Sequence, residues 1–329
     1  LPRELRLVRS TWLAEDVVQL GFADPAGAEL PEWAPGAHLT LHLPNGMSRD
    51  YSLCGDPADR RLLSVAVQRD RASRGGSAYV HDRLRVGEII KVDGPDNDFP
   101  LEPAGAYVLV AGGIGVTPIK AMAEELHRRA APWHLLYCGR SRASMAFLDV
   151  LEAFGPAHVT VHADDERGGP PDIAALLPAL APAPPAAPGG PPYGGAGGEP
   201  LVYCCGPEPL IQAVTASLAD VSRLRVERFR APESAGPAAG GEAFDVVCAT
   251  SGVRVSVPPG RTILEIVREA GVPALSSCEE GVCGTCETRV IEGTPEHRDF
   301  LLTDEERAAG EVMMICCSRS RDPELVLDL

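Results

Sequence analysis

Apolar and polar side chains alternate over short stretches in the first hundred residues. Leu39-Thr40-Leu41-His42-Leu43 puts three leucines on one face, as a half-buried strand does. Leu62 to Val67 and Ile89 to Val92 follow, with Gly, Pro and Asp at the turns between them. Short, closely spaced strands predict a small β-barrel over residues 1–103. From residue 104 the period changes. Tyr107-Val108-Leu109-Val110 is an apolar run ending in glycines, and Ile119, Met122, Ala123 and Leu126 then recur at helical spacing. Apolar runs return at Trp133 to Tyr137, His158 to His162 and Leu201 to Cys204. Strands separated by helices predict an α/β domain over 104–230, its parallel sheet covered on both faces. Beyond residue 242 the pattern predicts a hairpin from Phe244 to Val257 and a helix from Ile263 to Ala270, an α+β layout.

Two Pro/Gly/Ala tracts divide this multidomain chain. Residues 231–241 lack apolar periodicity and read as a flexible linker before a third domain, 242–329. Residues 178–200 hold more Pro, Gly and Ala than a packed element tolerates, and the strand pattern resumes after them. They are expected to form a mobile surface insertion.

Composition removes several classes. No 18 consecutive residues are apolar, so no membrane span is expected, and no export signal opens the chain. A net charge of −16 argues against nucleic acid as a partner. Residues 242–329 hold 17 acidic and 8 basic residues, a balance of −9. Such acidity steers a module toward basic partners or simply keeps it dissolved. The first residue is Leu1 rather than Met, which suggests a trimmed chain or a piece of a longer polypeptide.

Ten cysteines change the picture most. Cys278, Cys283, Cys286 and the distant Cys316 have the C-x4-C-x2-C…C spacing that wraps a plant-type [2Fe–2S] cluster. Gly281 and Gly284 let the loop between them turn its amides toward sulfur. Zinc, usually held by two CxxC pairs, and a disulfide framework are the rival readings. Cys317 is expected one residue further along a strand, on its opposite face. The remaining thiols suit a reducing compartment, which predicts the cytoplasm.

Arg49-Asp50-Tyr51-Ser52 follows the strand of Leu39 and Leu41. The motif resembles the R-x-Y-S/T of the ferredoxin–NADP reductase superfamily, which implies that Tyr51 packs on an isoalloxazine, Ser52 reaches flavin N5 and Arg49 pairs with phosphate. Arg74-Gly75-Gly76-Ser77 precedes a short helix, and Gly75, Gly76 and Ser77 with Arg49 are expected to hold one terminal phosphate, which suits FMN. Gly112-Gly113-Ile114-Gly115-Val116-Thr117-Pro118 lies between a strand and a helix. It resembles the family loop that receives a nicotinamide dinucleotide, with Thr117 near the flavin. Tyr203-Cys204-Cys205-Gly206-Pro207 is similar to the family's Y-x-C-G-P, which implies that Cys205 approaches the reactive nicotinamide carbon beside Gly206 and Pro207. Arg140, Ser141 and Arg142 follow the second strand of the domain. Arginines with a hydroxyl there suit a 2′-phosphate, a slight preference for NADPH over NADH. Phe229, on the strand before the linker, is a candidate cover for the flavin.

Barrel, nucleotide domain and C-terminal ferredoxin, in that order, resemble the phthalate dioxygenase reductase family across nearly the entire chain. Asn97-Asp98-Phe99-Pro100-Leu101, Glu296-His297-Arg298-Asp299 and the ending Glu324 to Leu329 carry the likeness further, and the proline-rich insertion departs from it. The family's fourth ligand precedes x-Ser-Arg, which is Cys316 here. The resemblance implies hydride transfer from NAD(P)H to FMN, positioned by Ser52, Thr117 and Cys205, and single electrons passing through the cluster. The expected acceptor is a Rieske-type aromatic-ring oxygenase. A haem-thiolate monooxygenase, separate or fused, is the alternative, and a redox-sensing module without an acceptor is an alternative of another class.

Overall fold

Leu39 and Leu41 are fully buried, and Thr40 and His42 face the other way, so alternation does build this strand. A computed structural model of the chain describes residues 2–70, 75–180, 182, 200–231 and 241–329. Arg74, nearly all of the expected linker and most of the expected insertion lie outside these. Two units divide after Glu227.

The first unit opens with β1 (Arg3–Ala14), β2 (Val17–Ala23), β3 (His38–His42), β4 (Ser48–Ser52) and β5 (Leu63–Gln68). A short helix, α1 (Gly76–Asp82), and β6 (Ile89–Asp96) follow. The sheet order is β4-β3-β6-β1-β2-β5, and a bridge between Leu53 and Val65 links its two ends into a barrel. Leu5, Leu7, Leu20, Phe22, Leu39, Leu41, Val65 and Val67 fill it.

The α/β part comprises β7 (Tyr107–Gly112), α2 (Val116–Arg128), β8 (Trp133–Gly139), α3 (Leu148–Glu152) and β9 (Val159–Ala163). After α4 (Asp164–Arg167) and α5 (Ile173–Leu176) come β10 (Leu201–Cys205), α6 (Glu208–Ser217) and β11 (Leu224–Glu227). Pro178 to Leu180, assigned to the insertion by composition, instead form part of a packed turn in which Leu180 is buried. The sheet is parallel, in the order β11-β10-β7-β8-β9. Leu109, Leu135 and Tyr203 pack with α2 on one face, and Val108, Leu136 and Val202 pack with α5 and α6 on the other. Both faces are therefore covered. Ala14, Val17, Cys54 and Ala66 of the barrel share the core of the α2 face, so barrel and sheet form one body. Phe229, expected on a strand, lies beyond the end of β11 and falls in the second unit, 40% exposed.

The second unit contains β12 (Phe244–Cys248), β13 (Val253–Val257), α7 (Ile263–Glu269), β14 (Glu287–Glu292) and β15 (Pro295–Glu296). It ends with α8 (Asp304–Ala309), β16 (Val312–Met314), β17 (Arg319–Ser320) and β18 (Glu324–Leu327). The main sheet runs β13-β12-β18-β14-β16. Thr262 with Glu265 and Thr303 with Glu306 form reciprocal capping boxes that start α7 and α8. Among the described residues no helix is long and apolar enough to cross a membrane.

Candidate functional site

Register decides which way the flavin motif faces. Arg49 and Tyr51 pair with Leu41 and Leu39 and share their side of the sheet, whereas Ser52 pairs with His38 on the other. Tyr51 packs against the barrel core, and burial pushes its phenol well above the usual range. Ser52 is buried, and its hydroxyl donates to Glu227 Oε2 at 3.4 Å. The Cys205 thiol donates to the same oxygen at 3.8 Å. Flavin and nucleotide motifs, 153 residues apart, thus meet at one carboxyl group. Burial pushes Glu227 up to about 8, against the lowering effect of the Ser52 and Cys205 bonds, and Asp98 and Asp50 raise it further. Burial likewise raises the Cys205 thiol, reinforced by Glu227. A neutral carboxylic acid at neutral pH can also donate a proton to an acceptor.

The two glycine-bearing loops meet where the strand order reverses. β7 is central, with β8 and β9 to one side and β10 and β11 to the other, so the crevice at its carboxyl end is a switch point. Gly112 and Gly206 lie backbone to backbone: a Cβ on Gly206 would stand 3.0 Å from Gly112 Cα. A Cβ on Gly115 would overlap the Cys205 carbonyl. Gly113 has a left-handed φ of 55°. Thr117 is buried in the first turn of α2, its hydroxyl donating to Ile114 O at 3.0 Å, and Pro118 follows it. Pro207 takes the extended position before α6.

Near α1, the Arg49 side chain lies so close to Gly76 that a Cβ there would stand 2.9 Å from its Nε. Gly75 has a φ of 119°, and Ser77 Oγ accepts from Asp70 N at 3.1 Å. Arg49 also donates to Ser48 O at 2.6 Å. A bare backbone beside a guanidinium fits a phosphate. After β8, Arg142 is ion-paired with Glu152, and Ser141 bonds Ser144 at 3.2 Å. Arg140, beside them, is exposed.

In the second unit, Cys278, Cys283 and Cys286 share one loop. Cys278 N donates to Cys283 Sγ at 3.4 Å and Glu280 N to Cys278 Sγ at 3.3 Å. Glu279, Gly281 and Gly284 adopt left-handed backbone, with φ of 57°, 74° and 77°, to turn the amides inward. Cys316 interacts with Cys278 and Cys286 across the gap. Hydrogen bonds from Cys283 and then Cys316 hold the Cys278 thiol well below its usual range, while contacts with Cys278, Cys286 and Cys317 raise Cys316. Among the described residues no three His, Cys, Asp or Glu side chains converge as one ion needs. A two-iron cluster asks only two thiolates of each iron, and the three of this loop together with Cys316 make four, with loop amides aimed at sulfur.

Cys316 and Cys317 lie in a turn after β16, not in a strand, so the expected alternation of faces does not apply. Cys317 instead packs under the loop. A Cβ on Gly281 would stand 2.5 Å from its sulfur, which lies 3.7 Å from Met314 O. Arg319 locks the far side of the turn. Buried against the Phe244 ring, it donates to the carbonyls of Arg261, Glu242 and Pro258.

A model of the 2Fe–2S iron-sulfur cluster binding domain matches residues 246–321. Over its full length the chain is 42% identical to the phenoxybenzoate dioxygenase subunit beta of Ectopseudomonas oleovorans, covering 98% of that protein. It superposes on the solved phthalate dioxygenase reductase with a TM-score of 0.72 at 34% identity, covering 100% of this chain and 98% of that one. The chain belongs to the phthalate dioxygenase reductase family. It is a flavin- and nicotinamide-dependent oxidoreductase with a [2Fe–2S] module, built like the reductase components of oxygenases. An intact type IV self-sufficient cytochrome P450 monooxygenase is also similar, with a TM-score of 0.82 at 41% identity; this chain spans 41% of its length.

Against this family background, the residue that motif reading missed is Glu227. Only the parallel pairing of Cys205 with Glu227 in β10 and β11 brings it to the junction. An acidic residue ending the last strand of the nucleotide domain was the available signal.

Proposed function

We propose that this chain takes hydride from a nicotinamide dinucleotide onto FMN and delivers single electrons to a Rieske-type aromatic-ring oxygenase. The contact of Ser52, Glu227 and Cys205 carries this reading, because it brings the flavin and nucleotide motifs within bonding distance of one carboxyl group. Arg49, Gly75, Gly76 and Ser77 would hold the flavin phosphate, and Tyr51 would pack on the ring. Gly112, Gly113, Gly115, Gly206 and Pro207 leave bare backbone for the pyrophosphate, while Thr117 and Pro118 fix the helix behind it. Cys278, Cys283, Cys286 and Cys316 would ligate the cluster. When bound, the two groups supply the change from a two-electron hydride to single electrons. Glu227, neutral below pH about 8, keeps Ser52 and Cys205 oriented without adding negative charge where electrons arrive.

Arg140 and Ser141 support the slight preference for NADPH, although Arg142 is committed to Glu152. The whole-chain similarity to a P450 fusion favours a second reading, a haem-thiolate acceptor. A cytoplasmic location fits the free thiols. The test is to purify the protein, release the flavin for chromatography and compare bleaching by NADH and NADPH. An FMN peak and nucleotide-driven bleaching support the proposal; FAD or no flavin overturns the FMN assignment. Assaying NAD(P)H turnover with purified Rieske and haem-thiolate oxygenases then separates the acceptors.

A further inference from the structure

The flavin and nucleotide motifs sit on different sheets, so their separation depends on what joins barrel to α/β sheet. That junction is an apolar core in which Cys54 and Ala66 of the barrel pack with α2 and Phe147. A cation lies within it. Lys120, on α2, is only 7% exposed, and a buried ammonium is unfavourable unless its donors are satisfied. Its Nζ donates to Cys54 O at 3.1 Å and Glu124 Oε1 at 2.5 Å, and it lies 5.4 Å from the Phe147 ring centre. Phe147 reaches this place through a left-handed φ of 60°, uncommon for a bulky residue.

The position of these partners gives the contact its meaning. Cys54 is two residues beyond Ser52, and Lys120 is about one helical turn beyond Thr117. The Cys54 carbonyl is fixed to the barrel, since Leu53 N donates to Ala37 O at 2.8 Å and Cys54 N to Ser64 O at 2.9 Å. Glu124 alone would satisfy an ion pair, and its side chain is 30% exposed. The bond to Cys54 does something further: it ties the end of the flavin strand to the nucleotide helix near both motifs.

We propose that Lys120 is a positioning residue for hydride transfer, fixing the Ser52–Cys54 segment against the Gly112–Pro118 loop. The proposal rests on the reading of the Ser52–Cys205 junction as the hydride-transfer site. In this role Lys120 acts through its contacts with Cys54, Glu124 and Phe147, holding the distance between the groups that meet substrate and cofactor. A misplacement of about 1 Å can cost on the order of a hundredfold in rate.

The test is Lys120→Met, which fills similar volume with apolar atoms and leaves Glu124 able to reach water. Flavin content, thermal unfolding, hydrogen exchange at residues 53–55 and anaerobic rapid mixing with NADH and NADPH are compared with wild type. The expected variant is folded and flavin-replete, exchanges faster at 53–55 and shows a weakened nicotinamide–flavin charge-transfer band. Its limiting flavin-reduction rate falls at least about tenfold, with nucleotide affinity within about threefold. Lys120→Gln, one atom shorter and still polar, covers the case in which the methionine variant does not fold, and the same losses are expected. A folded, flavin-replete variant of either kind with wild-type exchange and a wild-type rate overturns the proposal. Wild-type protein that binds flavin yet accepts no hydride from either nucleotide overturns the junction reading itself, and the proposal with it.

Discussion

A carboxyl group enclosed beside Ser52 and Cys205 keeps its proton to pH about 8, because burial penalises the anion more than those two donors stabilise it. Below that pH Glu227 is neutral; above it, a negative charge stands beside the flavin motif. Flavin reduction by nucleotide is therefore expected to fall as pH rises through about 8, and Glu227→Gln to flatten that limb, as rapid-mixing rates across pH 6–10 would show. The folded state holds this proton more tightly than the unfolded chain, whose ordinary value is 4.5. The stability this gives is complete below that value and is lost as pH rises through about 8, so thermal unfolding of the glutamine variant should lack that component. At the cluster, Cys316→Ser should lose or alter visible absorbance while Cys317→Ser keeps it; the reverse outcome would reassign the fourth ligand. The four clustered cysteines were legible because their spacing is itself the constraint. Glu227 was not, since its contact with Ser52 spans 175 positions and depends on how β10 and β11 pair.

Elements were legible where alternation was regular. β3, β7 and β8 follow from their apolar positions, but β1, twelve residues long, did not stand out. Bulges near Val8 and Leu13 shift its register twice, breaking the period of two that identifies a strand. The turn holding Cys316 was read as strand for a related reason: Met313 to Cys316 are all buried, so composition alone does not end the element. Glycines in the loops give the sharpest test at this scale. Gly281→Ala places a Cβ at a φ of 74° and 2.5 Å from the Cys317 sulfur, so the loop must shift. The backbone strain alone is about 1–2 kcal/mol. Iron content should fall while the flavin of the first unit is retained, measurable by metal analysis and flavin release. Gly115→Ala should do the converse, keeping both cofactors but losing reduction by nucleotide.

For the whole molecule, the order of barrel, α/β sheet and ferredoxin module could be read from changes in apolar period. The division after Glu227 could not, because it depends on which contacts the last strand makes. Charge matters most at this scale. With a balance of −9 over residues 242–329, electron delivery to a basic acceptor should depend on salt. Cytochrome c reduction is expected to slow several-fold from low to high ionic strength, with ferricyanide reduction little changed; equal responses would remove the steering argument. Reducing equivalents from the nucleotide are expected to reach the cluster through the flavin. The most direct measurement is anaerobic titration of the flavin- and iron-replete protein with NADH or NADPH, followed by visible absorbance and electron paramagnetic resonance. Bleaching of the flavin is expected together with the signal of a reduced [2Fe–2S] centre. A flavin that bleaches while the iron stays oxidised, or a protein that responds to neither nucleotide, would contradict it.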